Sequence, residues 1–224
     1  MHMSQPTTKT ARQLPDIRVL RRAALALAAA GVLLLAIAVP ASARPDAKTR
    51  VTVIGDSVTA SFNYVAAARR YLGKGLDLHS DAVVCRRLVA TSCPFQGSTP
   101  STALDVVTLE GHRLGPVVVI NVGYNDWAEV YDVDRVMRAL KAAGVRTVIW
   151  VTLKEVGSYA AIYAQTNARI RSADTKWRKT MVVADWNAYS RGKPWFREDG
   201  LHLTATGAMR LARFLRPLVL AGVS

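Results

Sequence analysis

The stretch Val51-Thr52-Val53-Ile54-Gly55-Asp56-Ser57 decides the fold. Its first four residues lack the polar alternation of a half-exposed strand, which indicates a strand buried on both faces. The glycine allows a tight turn, and Asp and Ser are residue types that favour the start of a helix. The stretch therefore predicts a buried parallel strand that runs into a helix, with Ser57 at the opening of that helix.

The rest of the chain alternates segments typical of strands and helices. Further strands are predicted at 76–84, 116–122, 145–153 and 179–184, and helices at 64–72, 102–109, 133–143, 159–172 and 204–218. Thr204 is the expected N-cap of the last helix. This alternation predicts an α/β fold, a three-layer α/β/α sandwich with a five-stranded parallel sheet of the flavodoxin-like kind. Such sheets bind ligands beyond the carboxyl ends of their strands.

Three polar motifs fall at the ends of predicted strands or before the last helix. They are Gly55-Asp56-Ser57, Gly123-Tyr124-Asn125-Asp126 and Asp199-Gly200-Leu201-His202. Each is weak alone, because Asp56 or Ser57 could simply cap a helix, Asn125 could occupy a turn, and Asp199 and His202 could be surface residues. Together they supply a hydroxyl nucleophile, an oriented imidazole and an amide donor, which is the set that acyl transfer through a serine requires.

In this order, the motifs resemble those of the SGNH (GDSL-type) hydrolase family, from Val51 to about Leu218. The resemblance implies that Ser57 is the nucleophile, that Asp199 and His202 supply acid and base, and that the Asn125 side chain helps to form the oxyanion hole. The family's second motif normally offers a glycine whose backbone N–H joins that hole. The best-placed residue here is Cys85, with Gly97 as the alternative. Val58 replaces a leucine of the family's first motif and is expected to pack inward.

Residues 1–43 have the pattern of a secretory signal peptide. Arg21-Arg22 precede the apolar run Ala23–Val39, and Ala41-Ser42-Ala43 offers a cleavage site after Ala43. The apolar run has 17 residues, close to the length of a membrane span, so an uncleaved anchor is the alternative. Residues 44–50 are then a linker and 51–224 the hydrolase-like domain. Both alternatives place this domain outside the cytoplasm, either secreted or in the cell wall, or membrane-anchored by the N-terminal segment.

The two cysteines and the net charge bear on the environment of the protein. Cys85 and Cys93 can form a disulfide outside the cell, and two buried thiols or a metal pair are the alternatives. The net charge of +14 favours anionic partners such as an acidic cell-wall polymer, although a generally basic surface explains it equally well. A nucleic-acid partner is disfavoured by the expected export and by the lack of a basic recognition helix.

These observations predict an exported serine esterase that hydrolyses short-chain, acetyl-type esters of a small molecule or a glycan. No metal or other cofactor is required. The alternatives are an O-acyltransferase, in which a cell-wall glycan hydroxyl replaces water, and a non-catalytic glycan-binding module. Aromatic residues in predicted loops could face the substrate or close over the core: Trp127, Tyr159, Trp186, Trp195 and Phe196. Arg86 and Arg87 could recognise an anionic substrate group or be solvated.

Overall fold

Five parallel strands form one sheet in the computed structural model, which describes residues 48–224. The strands are β1 (Arg50–Gly55), β2 (Asp77–Ala82), β3 (Val117–Asn121), β4 (Thr147–Val151) and β5 (Met181–Ala184). Their order is β2-β1-β3-β4-β5, and every neighbouring pair is parallel. This is the flavodoxin-like order. The predicted α/β sandwich with a five-stranded parallel sheet is therefore confirmed.

Helices cover both faces of the sheet. They are α1 (Ser61–Tyr64), α2 (Ala66–Leu72), α3 (Ala103–Glu110), α4 (Val133–Ala142), α5 (Ala160–Trp177), α6 (Trp186–Ser190) and α7 (Ala205–Val223), with 3-10 turns at Gly111–Leu114, Ala128–Val130 and Gly157–Tyr159. Because side chains alternate along a strand, β1 and β3 contribute to two cores. Val53 and Val119 pack with α2 and α7, whereas Ile54 and Ile120 pack with α3 and α4.

Some helix boundaries differ from those predicted. The helix expected at 64–72 is two helices, since Val65 between α1 and α2 has non-helical dihedral angles. Helix α5 continues past the predicted end to Trp177, whose indole N–H donates to Asp134 on α4. This long-range contact has no local sequence signal. The predicted N-cap is confirmed, because the Thr204 side chain accepts a hydrogen bond from the Gly207 amide.

The N-terminal predictions concern residues that the structure does not describe. The expected signal peptide or anchor at 1–43 and most of the expected linker at 44–50 lie outside the described range. Arg50, assigned to the linker from the sequence, begins β1. Between residues 48 and 224, none of the helices combines the length and the apolar character that a bilayer span requires.

The strand register brings three loops together at the carboxyl edge of the sheet. Gly55, the last residue of β1, lies opposite Ala82 of β2 on one side and Asn121 of β3 on the other. Gly55 has no room for a side chain, because a Cβ atom there would lie 2.3 Å from the Thr59 Cβ. The chain can therefore turn back closely after β1, and the segments that begin at residues 56, 83 and 122 start side by side.

Candidate active site

Ser57, His202 and Asp199 form a connected row of side chains at this edge. The His202 Nε2 atom lies 3.0 Å from the Ser57 Oγ, and the His202 Nδ1 atom lies 2.6 Å from the Asp199 Oδ2. Because a carboxylate only accepts hydrogen bonds, Nδ1 carries the proton that donates to Asp199. Nε2 is left to accept the hydroxyl proton of Ser57. The structure thus joins residues that are 145 positions apart in the chain.

The Asp199 carboxylate is held in its orientation by the backbone. Its Oδ1 accepts hydrogen bonds from the amides of Leu201 (2.8 Å) and His202 (2.9 Å), which leaves Oδ2 for the imidazole. Partial burial acts to raise the pKa of Asp199, but the hydrogen bonds from the His202 ring and the two amides outweigh it and lower this pKa to about 2. Asp199 is therefore ionised at neutral pH, as the acceptor of the imidazole N–H must be.

A hairpin-like loop carries His202 to Ser57. The Arg197 amide donates to the His202 carbonyl (2.7 Å), and the Thr204 amide donates to the Trp195 carbonyl (3.0 Å). Gly200 at its tip has a φ of +68°, a left-handed conformation that glycine adopts without strain. The Asp-x-x-His spacing therefore works because a tight turn, and not a helix, places both side chains on one side.

The sequence analysis predicted that Ser57 opens a helix, and this prediction was wrong, because Ser57 lies in a turn. Residues 57–60 form turns, and α1 begins only at Ser61. The Asp56 carboxylate explains this local structure, because its Oδ1 accepts from the Val58 amide (3.1 Å) and the Asp56 carbonyl accepts from the Ala60 amide (2.9 Å). The side chain of Val58 is fully buried, as expected.

Asp56 connects the first and second motifs. Its Oδ2 accepts hydrogen bonds from the amides of Gly123 and Tyr124, both at 3.1 Å. Burial raises the pKa of Asp56 to about 6, although the three amide donors, together with the nearby His202, act to lower it. This fully buried carboxyl group therefore has a structural role, since it fixes the loop of Asn125 relative to Ser57.

Asn125 lies beside the loop that follows β2. Its side-chain amide donates to the Arg86 carbonyl (3.2 Å), and the Arg87 Nε donates to the Asn125 carbonyl (2.7 Å). The side-chain NH₂ group of Asn125 has two N–H donors. One of them donates to the Arg86 carbonyl, which leaves the other for a ligand. These contacts bring the predicted amide donor to the loop that contains Cys85.

Cys85, which the sequence analysis gave as the best-placed second backbone donor, lies in the loop after β2. Its φ is +68°, a left-handed conformation that favours glycine. Its carbonyl accepts from the Cys93 amide, and the two cysteines form a disulfide with their Cα atoms 5.1 Å apart. Within the described residues, the backbone N–H groups of Cys85 and Ser57 have no hydrogen-bond acceptor. Gly97, the alternative, lies in a separate turn between Phe95 and Ser98.

Arg86 does not face a substrate, contrary to one of the two alternatives from the sequence. Its side chain is 2% exposed and donates to the Asp81 carboxylate (2.9 Å) and carbonyl (2.6 Å) and to the Ser101 carbonyl (3.1 Å). The guanidinium group is fully engaged in holding this loop against the end of β2. Arg87 donates to the carbonyls of Asn125 and Thr91, but it is half-buried and lines the cavity beside Asn125, so its sequence alternative as a substrate contact stays a prediction.

The aromatic residues divide between the core and the site edge. Trp186 is fully buried and Trp195 is 9% exposed, so the core explains both, and Phe196 packs against them. Trp127 and Tyr159, in contrast, are about half exposed. They line a cavity of about 260 Å³ that also has Asn125 in its wall.

Asp126 adds a second buried carboxyl group near the site. Both of its oxygens lie within 3.1 Å of the Leu88 amide. Burial raises the pKa of Asp126 to about 7; the Leu88 amide opposes this shift and Asp56 adds to it. The motif Asn-Asp therefore has two roles, with the Asn at the site and the Asp anchoring the loop after Cys85.

We expect Asp126→Asn to flatten the pH dependence of stability. The pKa of this carboxyl is higher in the folded protein (about 7) than the ordinary value of 3.8. Its stabilising contribution is therefore complete below about pH 4 and is lost as the pH rises through about 7. The free energy of unfolding in urea, measured from pH 4 to 8, should fall less steeply in the variant. An unchanged slope, equal to that of an Asp174→Asn control, would contradict this account.

Lys154 is a contact of the site that the sequence analysis missed. Its Nζ donates to the Gly200 carbonyl (2.7 Å) at the tip of the His202 loop, and it lies 4.0 Å from the centre of the Phe196 ring. Burial lowers the pKa of Lys154, and the Asp199 carboxylate opposes this shift. The sequence did offer a signal for Lys154, because it follows β4 closely and so falls at the edge of the sheet where the other motifs lie. In the described part of the chain, no three metal-ligating side chains gather into a site.

Comparison with known proteins identifies the fold. No protein-family model and no curated protein sequence matches the chain. Its structure is similar to the catalytic domain of peptidoglycan O-acetyltransferase A from Streptococcus pneumoniae, solved with a methylsulfonyl adduct (TM-score 0.57, 21% identity, 79% of this chain and 95% of that chain). It is also similar to a carbohydrate acetylesterase family member from Sinorhizobium meliloti (TM-score 0.58, 16% identity, 77% and 98%).

A third similar structure is a member of the lipolytic protein G-D-S-L family from Veillonella parvula DSM 2008 (TM-score 0.53, 12% identity, 76% of this chain and 98% of that chain). All three matches cover nearly the whole of the known structure, so the similarity extends over a complete domain. The chain has the fold of the SGNH (GDSL-type) hydrolases.

Proposed function

We propose that this protein is an exported serine esterase of the SGNH type that removes short acyl groups from a glycan. The observation that carries the proposal is the row Ser57–His202–Asp199, with distances of 3.0 Å and 2.6 Å between successive functional atoms. These are the hydrogen bonds that activate a serine hydroxyl for attack on an ester carbonyl.

In the first half of the proposed reaction, His202 Nε2 takes the hydroxyl proton as the Ser57 Oγ attacks the carbonyl carbon. The negative charge that develops on the carbonyl oxygen is stabilised by the N–H groups of Ser57 and Cys85 and by the free N–H of the Asn125 side chain. His202 then gives its proton to the leaving alcohol, and the acyl group stays on Ser57 as an ester.

In the second half, water attacks the acyl group on Ser57. His202 takes a proton from the water, and the Ser57 oxygen leaves and regains a proton from the imidazole. The ionised Asp199 stabilises the imidazolium that forms in both halves. The products are a carboxylic acid and an alcohol, and the chain's own residues account for every proton transfer.

The surroundings of Asn125 support a glycan ester as substrate. The cavity that Trp127 and Tyr159 line with Asn125 is small, and exposed aromatic rings stack well on sugar rings. Two structural neighbours are named for acetyl groups, one as a peptidoglycan O-acetyltransferase and one as a carbohydrate acetylesterase. The preference for a short acyl group is therefore proposed from these two neighbours.

The acyl length can be tested with p-nitrophenyl esters from acetate to palmitate. We expect kcat/KM to be highest for acetate and to fall as the chain grows. A maximum at long acyl chains would contradict a short-chain esterase.

An O-acyltransferase is the alternative, because acyl-Ser57 can react with a sugar hydroxyl as well as with water. The transferase among the structural neighbours is the specific observation in its favour. With an acetyl donor and a glycan oligomer as acceptor, mass spectrometry of the products separates the two. Free acetate without acetylated glycan supports the esterase, and a predominance of acetylated glycan supports the transferase.

Export is part of the proposal. It is supported by the signal-like pattern of residues 1–43 and by the Cys85–Cys93 disulfide, since disulfides persist in oxidising compartments. Sequencing the N-terminus of the protein recovered from cells would show a start after Ala43 if the signal is cleaved. An intact N-terminus in the membrane fraction would indicate the anchor instead.

We expect Asn125→Ala to lower kcat by about 10²–10³-fold with little change in KM, because one oxyanion donor is lost. Asn63→Ala is a matched control. Asn63 lies on α1, and its side-chain amide donates to the Ala82 carbonyl, outside the proposed oxyanion hole. Steady-state hydrolysis of p-nitrophenyl acetate measures both variants. If Asn125→Ala has no larger effect on kcat than Asn63→Ala, Asn125 is not an oxyanion donor.

A further inference from the structure

The positive charge of this protein is concentrated on the sheet face covered by α1, α2 and α7. Residues 57–76 contain three cations and no acid, and residues 203–224 also contain three cations and no acid. Helices α3, α4 and α5 on the opposite face carry six cations, but four acids offset most of that charge. Ion pairs there include Lys176–Asp134 on α5 and α4. The surplus of positive charge is therefore larger on the face covered by α1, α2 and α7, where no acid offsets the cations.

Six exposed side chains form what we call the basic face: Arg69, Arg70, Lys74, Arg197, Arg210 and Arg213. Among the described residues, none of the six has a carboxylate within ion-pair distance. They also make no side-chain hydrogen bond to other described residues. Exposed cations that lack an acidic partner are available to an anionic molecule.

Aromatic rings and the half-buried Arg216 hold the basic face in place. The guanidinium of Arg213 lies 5.8 Å from the centre of the Tyr71 ring, and that of Arg197 lies 5.7 Å from the Tyr64 ring. Arg216 donates to the Tyr71 and Leu72 carbonyls, which ties α7 to the end of α2. The cations are thus partly ordered before binding, which lowers the entropy lost when a partner orders them.

The basic face begins at the candidate active site. Arg197 is in the His202 loop, where its amide donates to the His202 carbonyl, and α7 starts three residues after His202. Arg213 lies about 12 Å along α7 from its first residue, given the rise of 1.5 Å per residue. An extended molecule on this face would therefore run from the edge that holds Ser57 along the two helices.

The chemistry of the face favours a polymer over a membrane. Large exposed apolar side chains in α1, α2 and the first twelve residues of α7 are limited to Tyr64 and Tyr71, and a guanidinium group lies over each ring. Membrane-surface binding normally adds apolar side chains that insert between lipids. A flexible polyanion needs only spaced positive charges.

We propose that the basic face binds an anionic polysaccharide and holds it alongside the candidate active site. Polymer binding is independent of the proposed chemistry, because it requires neither Ser57 nor turnover. Only the idea that the bound polymer carries the ester depends on the proposed esterase function.

The test compares two fourfold variants with the same change in net charge. The first, Arg69→Gln/Arg70→Gln/Arg210→Gln/Arg213→Gln, removes most of the basic face. The matched control, Arg135→Gln/Arg138→Gln/Lys141→Gln/Arg178→Gln, removes exposed cations that belong to α4 and the end of α5 and have no ion pair. Binding to polygalacturonate is measured, with neutral pullulan as the uncharged reference.

We expect the protein to bind polygalacturonate and not pullulan, with an affinity that falls as salt is added. The basic-face variant should bind about tenfold or more weakly, and the control within about twofold of wild type. Both should retain the wild-type melting temperature and hydrolysis of p-nitrophenyl acetate. Equal losses in both variants, no loss in either, or binding to phosphatidylglycerol vesicles without binding to polygalacturonate would each overturn the proposal.

The outcomes for the two proposals are separable. If Ser57→Ala retains ester hydrolysis but the basic-face variant alone loses polymer binding, the serine mechanism is wrong and the binding surface stands. If Ser57→Ala abolishes hydrolysis while both fourfold variants bind equally, the esterase stands and the binding surface is wrong.

Discussion

Ser57→Ala is expected to reduce kcat/KM for p-nitrophenyl acetate by about 10⁴–10⁶-fold, the order of loss seen when a member of a catalytic triad is removed. The physical reason is that His202 then has no hydroxyl to deprotonate, so the acyl-enzyme cannot form. The variant should fold normally, because Ser57 is partly exposed at the site and the loss of one solvated hydroxyl changes stability little. Circular dichroism and thermal melting check this point.

A matched control for this prediction is Ser61→Ala, in the next turn of the chain. The Ser61 hydroxyl is buried and has no hydrogen-bond partner among the described residues, so its removal should leave both activity and stability close to wild type. An alkyl fluorophosphonate gives a test that needs no knowledge of the substrate. Its phosphorus should bond to the Ser57 oxygen with loss of fluoride, and mass spectrometry of the peptides locates the adduct. Ser57→Ala that keeps wild-type turnover, or an adduct elsewhere, would refute the proposed nucleophile.

Asp199→Asn is expected to lower kcat by about 10⁴-fold, because His202 then adopts the tautomer that cannot accept the Ser57 proton. In the wild type, Oδ1 of Asp199 accepts from two backbone amides, of Leu201 and His202. The same amides should bind the oxygen of the substituted side chain, which turns its NH₂ group toward His202. That group donates to Nδ1, so Nε2 keeps the ring proton and cannot accept the proton of Ser57.

Glu198→Gln provides the control for Asp199→Asn. Glu198 is the neighbouring exposed carboxylate, so its replacement removes the same charge without touching the imidazole. We expect Glu198→Gln to keep activity within about twofold of wild type, because solvent screens an exposed charge. A loss below about tenfold in Asp199→Asn would show that His202 does not depend on this carboxylate.

Much of the fold was predictable because the signals are local. The strands β1 and β3 are apolar on both faces, and this pattern alone indicates a parallel sheet covered by helices. The N-cap at Thr204 was likewise visible in the sequence, since its side chain bonds only three residues away. Predictions failed where distant contacts decide the structure. The extra turn of α5 depends on Trp177 contacting Asp134, 43 positions away.

The same division holds for the candidate site. The sequence by itself determined which residue types were present and which strand each motif follows, and a resemblance to known hydrolases assigned their roles. Tertiary structure alone brought Ser57 within 3.0 Å of His202 and removed Arg86 from the list of substrate contacts by burying it against Asp81. It also gave Asp56 its role as the link between two motifs, and it gathered the basic face from α2 and α7.

The physical reason is the range of the interactions involved. Backbone dihedral preferences, capping and hydrophobic alternation act over a few residues and can be recognised in the printed sequence. A hydrogen bond between residues 145 positions apart depends on strand order and register, which are set by the packing of the whole sheet. Local sequence preferences thus determine most of the strands and helices of this protein. The short distance between the Ser57 hydroxyl and the His202 imidazole exists only once the sheet is assembled.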